Sequence, residues 1–300
     1  MKNHTSDEKI NENEYMPIRE LSSVTGVNAV TLRAWERRYG LLKPFRTPKG
    51  HRLYSPTDVD VIKNVQRLLE QGIAISKVKN IIHQSTTVPI DESWTIHGEK
   101  LIAIINSLNT NKIETYLYEL MGNYPPHILW EYLIQPLYNE LIKTKDEYAM
   151  QSKLLFLANS LQKQSGHFIK SQSKAVSHSA LIMGLDEKTM RLETNFIAME
   201  MTGSGIKPIL DFYLAPLNEV PFIVDNAKPD AIVLHGNGAL TKQFVTREIV
   251  ARLGKIGLPY LVTGNAAIIN EALLSEQRIE HHADHQELIE TLTNRLIGHE

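Results

Sequence analysis

Residues 17–54 read PIRELSSVTGVNAVTLRAWERRYGLLKPFRTPKGHRLY, and this stretch decides the first part of the fold. Apolar residues recur at near-helical spacing between residues 18 and 32, and Gly26 interrupts them. Because glycine in such a pattern marks a tight turn, the stretch predicts two short helices, over about 18–24 and 29–39. Two short helices joined in this way are typical of a helix-turn-helix.

A short basic loop follows the second helix. Gly40 ends the helical pattern, and the turn-forming residues after it are Pro44, Pro48 and Gly50. They punctuate a segment whose cations are Lys43, Arg46, Lys49 and Arg52. We therefore predict a small basic wing beside the second helix, so that a duplex would meet two basic surfaces side by side.

The second helix is the predicted recognition helix. Residues at the start of a major-groove helix usually touch base edges, and arginine can read guanine in a bidentate manner. The residues at this start are Asn28, Thr31 and Arg33, and we expect Thr31 and Arg33 to lie in the groove. Tyr54 is a further candidate DNA contact, with packing under the wing as its alternative. The candidate phosphate contacts are Arg37, Arg38, Arg46, Lys49, His51 and Arg52.

Some of these side chains have structural alternatives. Arg37 could pair with Glu36 or Glu20 on a solvated helix face instead of binding a phosphate. Trp35 and Tyr39 have the spacing of core aromatics, so packing is favoured over groove contact for both.

Charge is distributed unevenly along the chain. The whole sequence carries a net charge of −2. Residues 15–82 contain twelve Lys and Arg against five Asp and Glu, a net charge of +7, which leaves −9 for the remainder. Only residues 15–82 therefore have the electrostatic footprint of a nucleic-acid-binding protein.

The run TLRAWERRYGLLKP at residues 31–44, followed by GHRLY at 50–54 and SPTDV at 55–59, resembles the winged-helix head of the MerR family of transcription regulators. The resemblance extends from Tyr15 to about Ile82, with turn, wing and following helix in the order of the family. It implies a sequence-specific DNA-binding regulator, an activator that acts as a homodimer. Such dimers distort promoter DNA so that RNA polymerase can engage it, which makes promoter DNA and RNA polymerase the expected partners.

The rest of the chain has two further patterns. Amphipathic helical stripes predict a four-helix bundle, and from residue 173 strands alternate with helices, which predicts a flavodoxin-like doubly wound parallel sheet. Strands are expected at 176–183, 209–214, 231–235, 259–263 and 278–282. The predicted organisation is a flexible tail at 1–14, a winged-helix head at 15–84, a linker at 85–96, the bundle at 97–172 and the α/β domain at 173–300.

Head, bundle and flavodoxin-like module in this order resemble the cobalamin-binding branch of the MerR family. In that branch the loop after the first strand carries an acid-x-His-x-x-Gly motif, whose histidine coordinates cobalt and whose glycine lets the corrin's tail pass. The corresponding loop here has Asp186, with Lys188 in place of the histidine and Arg191 in place of the glycine. A protonated lysine has no lone pair for cobalt. We therefore expect no cobalamin cofactor.

Two later positions of that branch also differ here. The family's serine after the third strand corresponds to His235, and its glycine pair is reduced to Gly264 with a neighbour. The head with GIAISKVKNII at 72–82 is similar to a biofilm regulator of the family that also has a degenerate cobalamin-like region. The alternative is a ligand-responsive regulator whose C-terminal domain binds cobalamin in another mode or binds a different small molecule.

Several classes of site are not expected. The absence of cysteine excludes disulfides and thiolate metal or redox sites. A structural or surface role is favoured over zinc binding for His281, His282, Asp284 and His285, because neighbouring residues at a strand end diverge. No arrangement indicates catalysis, so neither an enzyme nor a metal site is expected. No apolar run approaches the roughly 20 residues of a membrane span, and residues 1–14 are too polar for a signal peptide, which favours the cytoplasm.

Overall fold

The computed structural model describes residues 15–84, 93–144, 148–172, 178–185, 192–213 and 215–297. The chain divides into two compact units, with the division between residues 92 and 93. We call the first unit the head and the second the C-terminal unit. Within the described ranges, no helix is long and apolar enough to cross a membrane.

The head combines four helices with a three-stranded sheet in its described part. Its elements are β1 (Met16–Pro17), α1 (Ile18–Thr25), α2 (Ala29–Ala34), a π-helical turn (Trp35–Tyr39), β2 (Phe45–Arg46), β3 (Arg52–Tyr54), α3 (Pro56–Glu70) and α4 (Ile75–Gln84). Strand β3 lies between β1 and β2 and pairs with both in antiparallel fashion. The helix-turn-helix and the wing predicted from the sequence are both present.

Local chemistry sets the ends of these helices. Gly26 lies in the left-handed region at φ +67°, which lets the chain turn sharply between α1 and α2. A capping box starts α3, in which the Ser55 hydroxyl accepts from the Asp58 N–H and the Asp58 carboxylate accepts from the Ser55 N–H. Pro56 at the first helical position and the Asp58 carboxylate in the first turn both favour this start.

The C-terminal unit begins with helices. They are α5 (Ser93–Asn106), α6 (Thr110–Asn123), the run α7 (Pro126–Leu129), a π-helical turn (Trp130–Ile134) and α8 (Gln135–Lys143), and finally α9 (Met150–Gln172). Helix α5 starts four residues before the helical region expected from residue 97. Most residues of the apolar stripes predicted for these helices are buried, with Leu101, Leu117, Leu133 and Leu157 at most 2% exposed, but Leu108 at the end of the first stripe is 50% exposed.

A five-stranded parallel sheet follows. Its strands are β4 (His178–Gly184), β5 (Ile206–Ile209), β6 (Ala231–His235), β7 (Tyr260–Thr263) and β8 (Glu280–His282), in the order β5-β4-β6-β7-β8. The helices between and after them are α10 (Leu192–Gly203), a 3₁₀ turn (Leu217–Glu219), α11 (Val220–Ala227), α12 (Lys242–Phe244), a π-helical turn (Val245–Val250), α13 (Ala251–Leu253), α14 (Asn265–Ile269), α15 (Glu271–Glu276) and α16 (His285–Leu296). This strand order is that of flavodoxin, which confirms the predicted fold class.

Helix α10 is buried along almost its whole length. Every residue from Leu192 to Thr202 is buried, because α10 packs against α7 and α9 on one side and against β5 and α16 on the other. Helix α10 therefore joins the helical layer to the sheet layer. A helix in this position is expected to be apolar all round, yet α10 carries Glu193 and Glu200.

One strand was placed wrongly by the sequence pattern. The strand expected at 209–214 ends at Ile209, and the chain then turns so that the Tyr213 N–H donates to the Leu210 carbonyl. Tyr213 is buried by tertiary packing against the end of β4 rather than by pairing in the sheet, whereas Asp211 and Phe212 are exposed. The short helices α14 and α15 were not anticipated.

The contact of Tyr213 with Gly184 provides a test of this packing. A Cβ added to Gly184 would lie 2.9 Å from the Tyr213 ring and 3.2 Å from its carbonyl oxygen, which already accepts from the Gly184 N–H at 2.7 Å. We expect Gly184→Ala to lower the free energy of unfolding by about 1–3 kcal/mol through overpacking, measured by urea denaturation. Gly166→Ala in α9 is the control, because no atom lies within 4 Å of its added Cβ, and it should stabilise by up to about 1 kcal/mol. Equal stability of Gly184→Ala and the wild type would contradict this packing.

Candidate nucleic-acid interface

The start of the recognition helix α2 is built by Asn28. Its side-chain oxygen accepts from the Val30 N–H at 3.1 Å and the Thr31 N–H at 2.9 Å, and its amide donates to the Thr31 hydroxyl at 2.9 Å. Asn28 is 2% exposed and Thr31 is 0% exposed. The sequence analysis was therefore wrong to place these two residues among the DNA contacts, because their polar atoms already bond each other inside the head.

The exposed face of the recognition helix is cationic. Arg33 is half-buried, whereas Arg37 and Arg38 on the following turn are exposed. The Arg37 Nε donates to the Arg33 carbonyl at 3.4 Å, which directs this guanidinium along the helix. Trp35 is fully buried, so its predicted core role holds, and Tyr39 is half-buried. Arg33 is the one predicted groove contact that the structure leaves partly accessible.

The wing is a short hairpin formed by β2 and β3. Its tip closes where the Gly50 N–H donates to the Thr47 carbonyl at 2.8 Å and the Thr47 N–H donates to the His51 carbonyl at 2.9 Å. Gly50 adopts φ +82°, a conformation that other residues rarely take. Lys49 and His51 are exposed at this tip, as expected of side chains that meet a phosphate backbone.

Glu36 connects the recognition helix to the wing. Its carboxylate accepts from the Arg52 Nε at 2.8 and 3.1 Å and from an Arg46 Nη at 3.2 Å, while the Glu36 side chain is only 11% exposed. Sequence reasoning considered Arg37 as the partner of Glu36, whereas the ion pairs come from Arg46 and Arg52. We call these three residues the wing brace. A partly buried acid that bonds two arginines holds the wing at one angle to the helix.

Tyr54 packs under the wing. It is 0% exposed, and burial together with the negative charge of Glu36 raises the pKa of its hydroxyl to about 12. Its hydroxyl has no hydrogen-bond partner among the described residues. The proposal that Tyr54 contacts DNA is therefore corrected, since a phosphate cannot reach this buried hydroxyl.

The three residues of the degenerate cofactor loop, Asp186, Lys188 and Arg191, lie outside the described residues. The neighbouring carboxyl edge of the sheet, where ligands of such folds bind, is filled by side chains. Tyr213 packs on Gly184, and a Cβ on Gly264 would lie 2.5 Å from the Gly236 carbonyl and 3.0 Å from the His235 ring. His235 is fully buried. The described residues at this edge do not fit a cobalamin tail passing between the strand ends.

The histidines near the end of the sheet contact separate partners. Across the described ranges, no group of three or more His, Asp or Glu side chains has the arrangement to hold a metal ion. His281 bonds the Ile279 carbonyl, and His282 lies near Glu280 and Glu287. His285 instead points inward and bonds Glu193.

Sequence reasoning missed two acidic features. Glu36 was considered only as a partner of Arg37, although an acid inside the basic run WERR was the available signal. Glu193 and Glu200 were not singled out, although two acids seven residues apart on an otherwise apolar helix were a signal of paired buried charges.

The cap formed by Asn28 generates a prediction. We expect Asn28→Ala to lower the free energy of unfolding of the head by about 1 kcal/mol, because two N–H groups of α2 lose their acceptor. Thermal melting followed by circular dichroism measures this change, with Asn80→Ala on the exposed face of α4 as the control. Well below its melting temperature, Asn28→Ala should keep the base preference of the wild type. A stable variant that loses its preference for one base pair would show that Asn28 contacts DNA.

Comparisons with known proteins agree with this geometry. Residues 16–85 match the model of the MerR HTH family regulatory proteins. The HTH-type transcriptional regulator MlrA of Escherichia coli is 34% identical over 176 residues, which span 58% of this chain and 71% of that protein. The HTH-type transcriptional repressor CarH of Myxococcus xanthus is 30% identical over 131 residues, which span 39% of this chain and 43% of that protein.

Among solved structures, a cobalamin-binding protein from Desulfitobacterium hafniense DCB-2 covers 69% of this chain and 98% of its own, at 12% identity and a TM-score of 0.31. A TM-score of 0.31 is too low to support an inference from this structure. The family match over the head and the identity across most of the E. coli regulator do support one. This chain belongs to the MerR family of helix-turn-helix transcription regulators.

Proposed function

We propose that this protein regulates transcription by binding specific promoter sites as a homodimer in the cytoplasm, without cobalamin. The observation that carries the proposal is the wing brace, which holds a cationic recognition helix and a cationic wing in one fixed arrangement. A rigid pair of basic surfaces matches a major groove and the phosphates beside it. No step of this function requires an enzyme activity.

Within this proposal the exposed cations have two separate roles. Arg33, at the accessible start of the recognition helix, reads a base edge, most simply the O6 and N7 atoms of guanine. Arg37, Arg38, Lys49 and His51 are exposed and position the head on phosphates. Arg46 and Arg52 contact phosphates only with the part of the guanidinium that Glu36 does not hold.

The homodimer and the promoter mechanism rest on membership of the family. Two heads related by a twofold axis bind the two halves of a near-palindromic site, and the DNA between them is distorted so that RNA polymerase engages the promoter. The energy of distortion is offset by the additional phosphate contacts that the bent duplex makes. Each head must keep the angle between its recognition helix and its wing while the DNA is distorted. We assign this role to the wing brace.

We propose that the protein activates transcription at its promoters. The E. coli relative is named a regulator and the M. xanthus relative a repressor. A reporter fused to each bound promoter, compared with and without the protein, separates the two signs. Increased transcription at most bound promoters supports the proposal, and decreased transcription at most of them overturns it.

The C-terminal unit is proposed to work without cobalamin, because its sheet edge is filled by the packed side chains of Tyr213 and His235. The absorption spectrum of the purified protein, before and after incubation with cobalamin, tests this. Stoichiometric retention of cobalamin would overturn this part and favour a ligand-responsive regulator, while leaving the DNA-binding function standing. Selection of bound sequences from a random duplex library tests that function separately, with one recurring near-palindromic site as the expected result.

Arg33 and Lys49 separate base reading from phosphate binding. Arg33→Ala should weaken binding to the selected site by about 1–3 kcal/mol and relax the preference at one base pair. Lys49→Ala should weaken all duplexes alike and reduce the slope of log affinity against log salt by about 1. Fluorescence anisotropy on selected and scrambled duplexes at several salt concentrations measures both effects. An unchanged preference in Arg33→Ala would mean that the recognition helix does not read bases through this residue.

Glu36→Gln tests the wing brace. Glutamine keeps the shape of the side chain but loses its charge, so Arg46 and Arg52 are released toward phosphates. We expect tighter binding to scrambled duplexes, a steeper salt slope and a smaller ratio of specific to non-specific affinity. Glu20→Gln, which removes an exposed acid from α1, is the matched control for net charge. If the two variants bind identically, Glu36 acts only through its charge.

A further inference from the structure

A network of polar side chains, buried except for the exposed Gln286 at its end, connects the sheet to the helical layer of the C-terminal unit. It connects residues of five separate elements or loops, in the order Tyr213, His235, Glu193, His285, Glu200, His127 and Gln286. The two glutamates lie on α10, His127 on α7, His235 at the end of β6, and His285 at the start of α16. This network occupies the carboxyl edge of the sheet, beneath the helical layer.

Two of the three histidines each meet one carboxylate and one uncharged partner. The His235 Nε2–H donates to Glu193 at 3.0 Å, and its Nδ1 lies 2.9 Å from the Tyr213 hydroxyl, which can donate or accept. The His127 Nδ1–H donates to Glu200 at 2.9 Å, and its Nε2 accepts from the Gln286 amide at 2.8 Å. Each of these rings therefore directs only one nitrogen at a carboxylate.

His285 lies in a different environment, because both of its nitrogens face carboxylates. Its Nε2 is 3.0 Å from a Glu193 oxygen, and its Nδ1 is 3.8 Å from the second oxygen of Glu200. That Glu200 oxygen is buried and has no hydrogen-bond donor among the described residues. A neutral imidazole would turn a lone pair toward one of these carboxylates, whereas an imidazolium offers an N–H to each. The ring of Trp130 lies against the other side of His285 in a stacked arrangement.

We propose that His285 is a protonation-dependent clamp that joins the helical layer to the sheet through Glu193 and Glu200. Its protonated form holds α7, α10, β6 and α16 together. When His285 loses this proton, the buried carboxylates of Glu193 and Glu200 share one N–H donor fewer. The contact between the helical layer and the sheet then weakens. This inference does not depend on the proposed DNA-binding function.

The surroundings of His285 determine the direction of its response. Burial lowers its pKa, but the hydrogen bond that its Nε2–H donates to Glu193 and the charges of Glu200, Glu193 and Asp284 act in the opposite direction, and the net result is a pKa raised above 6.5. The two hydrogen bonds from His235 and His285 outweigh burial at Glu193 and hold the pKa of its carboxyl below the ordinary 4.5. The other titratable neighbours are His127 and His235, together with Tyr213 beyond His235.

The raised pKa of His285 and the lowered pKa of Glu193 define the pH range in which the clamp is stable. A histidine whose pKa is raised in the folded state adds stability below its unfolded pKa of about 6.5, and this stability is lost as the pH rises through the folded pKa. A glutamate whose pKa is depressed adds stability above its unfolded pKa, and this stability is lost only in strong acid. The joint is therefore strongest between about pH 5 and 6.5, and it weakens as the pH rises from 6.5 through the raised pKa of His285.

A titration of the full-length protein tests the proposal directly. Histidine rings labelled with ¹³C are followed by NMR from pH 5 to 10, and the signal missing from His285→Gln identifies His285 among the twelve histidines. We expect the midpoint of His285 to lie above 6.5. In Glu200→Gln the new amide can donate to the Nδ1 of neutral His285, so its midpoint should move to lower pH. A wild-type midpoint at or below 6.5, or no movement in Glu200→Gln, would overturn the proposal.

Melting temperatures provide a second measurement that does not require the signal assignment. Between pH 6 and 9 the wild-type melting temperature of the C-terminal unit should fall by about 2–4 °C. His285→Gln should lose most of this pH dependence. His167→Gln on the exposed face of α9 is the control and should retain the wild-type profile. If His285→Gln does not fold, Glu200→Gln serves in its place, with the expected loss shifted to lower pH. Identical pH profiles for the wild type and the variant measured would contradict the clamp.

Discussion

The two arginine contacts of Glu36 fix the geometry on which the head depends. A wing of two short strands has too little buried surface to hold its own orientation, and its exposed tip carries Lys49 and His51. An acid that is 11% exposed and bonds Arg46 and Arg52 supplies the orientation instead. Because the pair is partly shielded from water, it is stronger than an exposed ion pair. The cost is that two of the wing's cations are partly neutralised, which limits non-specific attraction to phosphate.

The C-terminal unit handles buried charge in a different way. Helix α10 is enclosed on all sides, and an isolated carboxylate there would be strongly unfavourable. Glu193 and Glu200 are compensated by donors from three other elements, each of which supplies one imidazole ring. Such a network favours one arrangement of the layers, because another arrangement would separate the two carboxylates from the imidazole rings that compensate them. The same property makes the arrangement sensitive to the loss of one proton.

The sheet keeps the strand order of flavodoxin, yet side chains of the chain itself occupy the part of its carboxyl edge that the structure describes. Gly184 and Gly264 leave room for close approach, and that room is taken by the ring of Tyr213, by His235 and by the Gly236 carbonyl. In this fold the crevice at the strand ends is normally the place for a ligand. Here the described atoms at the strand ends belong to the protein itself. The fold is therefore that of a ligand-binding sheet, but the contacts at this edge are made between the protein's own residues.

The sequence by itself determined the helix-turn-helix, the basic wing, the helical bundle and the alternating strands, because helical periodicity, glycine and proline are local signals that act through backbone geometry. It also determined the family, through the run from Thr31 to Tyr54. Only the tertiary structure decided which polar side chains face outward: Thr31 and Tyr54 are buried, Glu36 holds the wing, and His285 points between two carboxylates. Likewise, Tyr213 is buried because it packs on Gly184, although the pattern of residues 209–214 resembles a strand. The reason is that burial and ion pairing join residues far apart in the chain, such as Glu193 and His285, and no local spacing records which of them will meet.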